Sequence, residues 1–204
     1  CDSYHGWREP IAEFSKILKE YTHDDERSRK LVGVGETGLD FYHKPYDKQR
    51  QIDAFKAQIE LALLYNKAVV VHVREAADEL LTVLEPYRKE PLLRAVIHCF
   101  SQKKDFAEIV LDWGFFIGID GPITYPKNQE LRDIVSITKP EALVLETDAP
   151  FLPPQPFRGK QNSPAYLPLT AAAVAQALNY SLEEVARLTT NNAYRLFAIR
   201  AKSD

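Results

Sequence analysis

Five short apolar runs, the first four each followed by a stretch with helical periodicity, constrain this chain more than any other feature. The runs are Leu31–Gly35, Ala68–Val71, Ala95–Ile97, Phe115–Ile119 and Ala142–Leu145. Short, continuous and β-branched, each reads as a strand buried on both faces, as in a parallel sheet covered by helices. The stretches between them carry amphipathic stripes. Ile52, Phe55, Ile59 and Ala62 form one, stopped at Asn66, which suits a left-handed cap. Ala77, Leu80, Leu81 and Leu84 form the next, and Phe106, Ile109, Val110 and Trp113 precede Gly114. Leu131, Ile134, Val135 and Thr138 end at Lys139-Pro140. Ahead of the first run, Pro10 suits a first helical position, with Ile11, Phe14, Leu18 and Tyr21 on one face. Such alternation predicts a parallel α/β barrel or a doubly wound sheet. A closed barrel needs eight strands and about 250 residues. The shortfall lies at the front, so the expectation is a chain lacking its N-terminal strand, or an open sheet.

With 204 residues, 45% of them hydrophobic, the chain can bury a core as one domain, expected over 1–204. A net charge of -3 argues against a globally basic surface but not against a local anion-binding rim. No apolar stretch is long enough to cross a bilayer, and no basic start followed by an apolar run and a cleavage site points to secretion. Cys1 and Cys99 make no disulfide framework, and Cys99 reads as part of a buried strand. A cytoplasmic location is therefore expected. Beyond Asp148 the alternation breaks: residues 149–168 hold six prolines, interleaved with Phe151, Leu152, Phe157 and Tyr166. This composition reads as one long ordered loop. Ser181 and Glu184 then form a capping box, and Asn191-Asn192 suits a cap of the final helix.

Four of the runs lead into residues able to bind a metal: Glu36, His72, His98 and Asp148. Side chains at the carboxyl ends of parallel strands converge on one mouth. Glu36, between Gly35 and Thr37-Gly38, can bridge two cations through its two oxygens. Histidine is the commonest metal-binding side chain, and His72 and His98 occupy matching positions. Asp148 can act as a ligand, as a base for the attacking water, or as both. Strand alternation places Glu146 beside it, deeper, where it orients a neighbour. Arg158 and Lys160 in the long loop, and Arg74 two residues past His72, are candidate phosphate-binding cations. The remaining histidines, His5, His23 and His43, are scattered.

In this order, Gly35–Asp40, His72-Val73-Arg74, His98-Cys99-Phe100-Ser101, Glu146–Pro150, Arg158–Asn162 with Pro164, and Thr190–Ala193 before Leu196-Phe197 resemble the TatD family of metal-dependent hydrolases and nucleases. The resemblance implies an irregular (β/α) TIM-like barrel of the metal-dependent hydrolase type, incomplete here at its N-terminal end. It also implies a centre of one or two divalent ions (Mg, Mn, Zn or Ni) and hydrolysis of DNA, often as a 3′-5′ exonuclease. Glu36 would bridge the metals, His72 and His98 would complete one site, and Asp148 would belong to the other. Glu36 and Asp148 are the catalytic candidates; Arg74, Arg158 and Lys160 would bind substrate. DNA is then the expected partner, with no membrane and no obligate protein partner evident. The chain departs from the family in lacking a His-x-His strand, and in having Gln102 where the family has glycine. Two other readings remain: hydrolysis of an amide or cyclic amide by the same metal chemistry, and a pseudo-hydrolase acting as an interaction module.

Overall fold

A computed structural model describes residues 8–22 and 30–199. The chain divides into two compact units. One runs to Ala95 and takes in the chain again from Leu196; the other is Val96–Arg195. Cys1, His5 and His23 lie outside the described residues.

In the first unit, helix α1 (Arg8–Thr22) precedes strand β1 (Gly33–Asp40), helix α2 (Lys48–Leu64), strand β2 (Ala68–Arg74) and helix α3 (Ala77–Leu84). The predicted stripe of α2 is its buried face: Phe55, Ile59 and Ala62 are fully buried and Ile52 nearly so. Asp47 caps its start by accepting from Arg50 N at 3.0 Å, satisfying one of the orphan donors of the first turn. Asn66, at φ 51°, ends the helical path in the left-handed region. On α1, Leu18 is buried but Phe14 is 54% exposed, so only part of the expected face is covered.

β1 and β2 pair in parallel, Gly33 with Ala68 through Asp40 with Arg74. The register shifts between Val34 and Thr37, a bulge that takes Gly35 and Glu36 out of the ladder. This corrects the expected strand. It does not span Leu31–Gly35 and stop at Glu36; it runs on to Asp40, with Glu36 exposed at a kink in its middle. His72 likewise lies inside β2 rather than beyond it. Gly38 closes the pairing: a Cβ there would come 2.0 Å from the backbone oxygen of His72, and its φ of +150° suits glycine.

The second unit takes up most of β3 (Ala95–Ile97), then α4 (Lys104–Asp112), β4 (Phe116–Ile119), α5 (Gln129–Ile137), β5 (Leu143–Leu145), α6 (Leu167–Leu178) and most of α7 (Leu182–Phe197). β3 pairs with β4, and β4 with β5, all parallel. Val96, Ile97, Ile117, Ile119, Leu143 and Val144 are buried, as an apolar strand run requires. Ile109 breaks the expected α4 face: it is 38% exposed, and Ala107 is buried instead. Beyond the ladders, Phe100 N donates to Gly118 O at 2.9 Å and Glu146 N to Ile119 O at 3.0 Å. These bonds carry the strand geometry on into the residues that follow.

The proline-rich segment is ordered by one side chain. Asn162, 7% exposed, donates from its amide to the carbonyls of Thr147, Phe151 and Leu152, while its own N–H donates to Pro150 O. The rings of Phe157 and Tyr166 stack 3.9 Å apart, and Pro168 falls in the first turn of α6, so the loop ends sooner than expected. Asn162→Ala removes the donor these carbonyls share, a loss of about 1–3 kcal/mol. The expected outcome is faster amide exchange over 149–166 with the strands unchanged, read by hydrogen-exchange mass spectrometry.

Ser181 and Glu184 form the predicted capping box, with Ser181 N to Glu184 Oε2 at 2.8 Å and Glu184 N to Ser181 Oγ at 3.1 Å. Asn192 is not a cap. It lies within α7, buried, and its amide donates to the carbonyls of Pro140 and Leu143, fixing the entry to β5. Among the described residues no helix is long and apolar enough to cross a membrane.

Candidate metal centre

The four ligand-type residues divide two and two between the units, and each pair is completed by a carboxylate on the same histidine. In the first unit, His72 Nδ1 lies 2.7 Å from Glu36 Oε1 and His72 Nε2 lies 3.1 Å from Asp40 Oδ2. In the second, His98 Nδ1 is bonded to Glu146 Oε2 and His98 Nε2 lies 3.5 Å from Asp148 Oδ1. Each unit therefore builds a carboxylate–imidazole–carboxylate row.

One carboxylate of each row is pinned by backbone donors. Asp40 Oδ1 accepts from Tyr42 N and His43 N, both at 2.9 Å, and Asp40 Oδ2 from the His43 ring at 2.7 Å. Partial burial alone would push the Asp40 carboxyl up, but these donors and His72 outweigh it and hold it at about 2. The stability it contributes is present above its ordinary value of 3.8 and is lost as pH falls toward 2. His43 is thus part of this cluster rather than scattered. In the second unit, Glu146 Oε1 accepts from Cys99 N at 2.6 Å. Gly118 makes room for it, since a Cβ there would come 2.1 Å from Glu146 Oε1. The alternation argument put Glu146 and Asp148 on one side. Both do reach the same imidazole, although β5 ends at Leu145 and Asp148 has φ 52°, outside strand geometry.

The donor set fits a divalent cation. A histidine ligand normally donates its other ring N–H to a carboxylate, which fixes the tautomer. With a cation bound, Asp40 would hold His72 Nε2–H and Glu146 would hold His98 Nδ1–H, leaving the other imidazole nitrogens beside Glu36 and Asp148 as ligands. Mixed nitrogen and carboxylate ligands accommodate Mg²⁺, Mn²⁺, Zn²⁺ or Ni²⁺.

Two residues of the second cluster carry signals that the sequence reading missed. Cys99 is not in a strand: β3 stops at Ile97, and Cys99, at φ 47°, is a free thiol whose Sγ lies 3.1 Å from Asp120 Oδ2. One ligand atom from each of His98, Cys99 and Asp148 falls within a group 4.8 Å across. Burial, followed by the charges of Asp120, Asp148 and Glu146, pushes the thiol well above its ordinary range, so it is a donor rather than a thiolate. Asp120 follows β4 and is 1% exposed, with Oδ1 unpartnered. Burial raises its carboxyl to about 7; the Cys99 hydrogen bond pulls it down, while Glu146 and Asp148 push it up. A raised acid costs stability as pH climbs from its ordinary 3.8 toward 7. In metal-free protein, Asp120→Asn should therefore gain melting temperature over wild type, by a margin that widens between pH 4 and pH 7. A constant margin across that range contradicts the assignment. The visible signal was an aspartate ending a strand run, as in Ile119-Asp120-Gly121.

The loop and strand cations are exposed. The Arg158 guanidinium lies 4.7 Å over the Tyr125 ring. Burial raises the Tyr125 phenol; Arg158 lowers it, and the charge of Asp120 raises it again. Arg158 and Asp120 therefore act on one phenol. Lys160 Nζ lies 6.0 Å over Phe157, on the exposed side of the loop. Arg74 lies 3.9 Å over the Tyr42 ring.

The described chain is thus an α/β protein in which parallel strands alternate with helices and acid–histidine rows lie on or just past the strands. The chain belongs to the TatD related DNase family, whose model matches residues 8–198. It is 39% identical over 171 residues to the uncharacterized metal-dependent hydrolase YcfH of Escherichia coli K12, covering 84% of this chain and 64% of that protein. It is 38% identical over 175 residues to the 3'-5' ssDNA/RNA exonuclease TatD of Erwinia tasmaniensis, covering 83% of this chain and 67% of that protein. The crystal structure of YJJV, a TatD homologue from E. coli K12, superposes with a TM-score of 0.83 at 31% identity, covering 93% of this chain and 70% of that one. The fold is thus the TIM-barrel-like fold of that family. The chain spans about two thirds of the length of the curated relatives it matches.

Proposed function

We propose that this chain acts as a divalent-metal-dependent phosphodiesterase that cleaves DNA in the manner of a 3′-5′ exonuclease, in the cytoplasm, with residues 1–204 forming one catalytic domain. The observation that carries the reading is the repeated row, Asp40–His72–Glu36 and Glu146–His98–Asp148. Glu36 and His72 would hold a cation in the first unit, and His98 and Asp148 one in the second. When bound, such a cation supplies Lewis-acid polarisation of a phosphoryl oxygen and lowers the pKa of water from 15.7 to about 7. Asp40 and Glu146 keep the two imidazoles oriented. Asp148, 3.5 Å from His98 Nε2, would accept a proton from the attacking water. Arg74, Arg158 and Lys160 neutralise phosphate charge, and the two arginines can do so through two parallel hydrogen bonds each. The family and the exonuclease among the relatives support a nucleic-acid substrate.

The test is a substrate panel with Mg²⁺, Mn²⁺ or Zn²⁺ against an EDTA control. DNA cleavage abolished by EDTA is expected. Turnover of an amide in place of DNA would move the reading to the amidohydrolase class, and inertness toward both would make the chain an interaction module.

A further inference from the structure

We propose that Tyr42 and Arg74 form a stacking platform for the terminal base of a single-stranded nucleic acid, an inference that rests on the phosphodiesterase reading above. Tyr42 is 50% exposed. A lone exposed aromatic is ordinary, but this ring is held on two sides. The guanidinium of Arg74 covers one face at 3.9 Å, and the His43 imidazole meets it edge-on, 5.0 Å away at 88°. Both neighbours lead to the first acid–histidine row. His43 Nδ1 bonds Asp40, which bonds His72. Arg74 is the ladder partner of Asp40 on β2, and its carbonyl accepts from Phe41 N at 2.9 Å. Tyr42 N in turn donates to Asp40 Oδ1.

The platform is therefore fixed to the C-terminal ends of β1 and β2, the strands that carry Glu36 and His72, which limits the rotamer freedom left to lose on binding. A tyrosine ring and a guanidinium plane are both surfaces on which an unpaired base stacks, and the cation can also meet the adjoining phosphate. A second aromatic pair lies close by in sequence: Phe41 and Tyr46 stack at 5.0 Å, with Lys48 5.7 Å over Phe41 and Tyr46 40% exposed. Stacking requires a free base face, which a terminal unpaired nucleotide offers and a duplex interior does not. Every base has such a face, so the platform selects strandedness rather than sequence.

The test reads binding without turnover. Fluorescein-labelled oligothymidylate is titrated in EDTA against wild type, Tyr42→Ala, Tyr42→Phe and Arg74→Ala, and again with an abasic residue at each end in turn. Tyr42→Ala should weaken binding about tenfold, and Tyr42→Phe should restore it. An abasic residue at one of the two ends should abolish the difference between Tyr42→Ala and wild type. Equal losses on intact and abasic strands, no loss at all, or no binding by wild type would overturn the platform. Metal-dependent DNA cleavage is scored separately, so the platform can fail while the phosphodiesterase reading stands, and the reverse.

Discussion

His72→Ala and Asp148→Ala are each expected to reduce metal-dependent DNA cleavage to background while the circular dichroism spectrum stays that of wild type. Neither side chain belongs to the apolar core. His72 is 32% exposed and Asp148 27%, so their loss opens no cavity in the packing. Removing His72 leaves Glu36 and Asp40 without the imidazole between them, whereas removing Asp148 leaves His98 without its facing carboxylate. Cation affinity is expected to fall in both because a proposed ligand is gone, and in the first row also because two carboxylates remain to repel each other. Glu146→Gln should be milder, costing about 10–100-fold in metal affinity, since an orienting group is altered and no ligand is lost. Cleavage rates at saturating Mn²⁺, measured beside metal affinity, separate the two classes. Full cleavage in both alanine variants would remove these residues from the reaction.

Gly38→Ala carries the largest expected effect on the fold. A Cβ at Gly38 would lie 2.0 Å from the His72 carbonyl oxygen and 2.9 Å from its nitrogen, both backbone atoms held in the β1–β2 ladder. A flexible side chain could swing away; a paired strand cannot. Moving β2 outward would break the pairing that fixes both Asp40 and His72, so stability and the first row should fail together. The expected cost is about 3 kcal/mol, read as a shift in urea midpoint, with lowered metal affinity in whatever protein remains folded. Wild-type stability in Gly38→Ala would mean that the strands are not closed as described.

Much of the architecture was legible because burial writes itself into composition. The strand runs at Ala95–Ile97 and Leu143–Leu145 are apolar on both faces, and the α2 stripe recurs at helical spacing. β1 was misplaced for a physical reason. A bulge at Gly35-Glu36 breaks the apolar pattern, so the run looked finished where the strand continues to Asp40. That error hid Asp40 and, through it, His43. Glu36 and His72, and likewise His98 and Asp148, were readable as ligand types leaving apolar runs. Their partners were not, because an orienting contact is a matter of distance between chain segments. Glu146 was an exception, being two residues from Asp148. Asn192 misled in the same way: its sequence setting suits a helix cap, whereas its bonds go to carbonyls 49 and 52 residues away.

Glu36 with His72, and His98 with Asp148, are expected to hold divalent cations. Manganese bound per chain, counted by electron paramagnetic resonance titration of metal-free protein, tests it most directly. The account predicts at least one tight Mn²⁺ in wild type, weakened or lost in His72→Ala or in His98→Ala. Wild type that binds no more Mn²⁺ than a variant with all four residues replaced would contradict it.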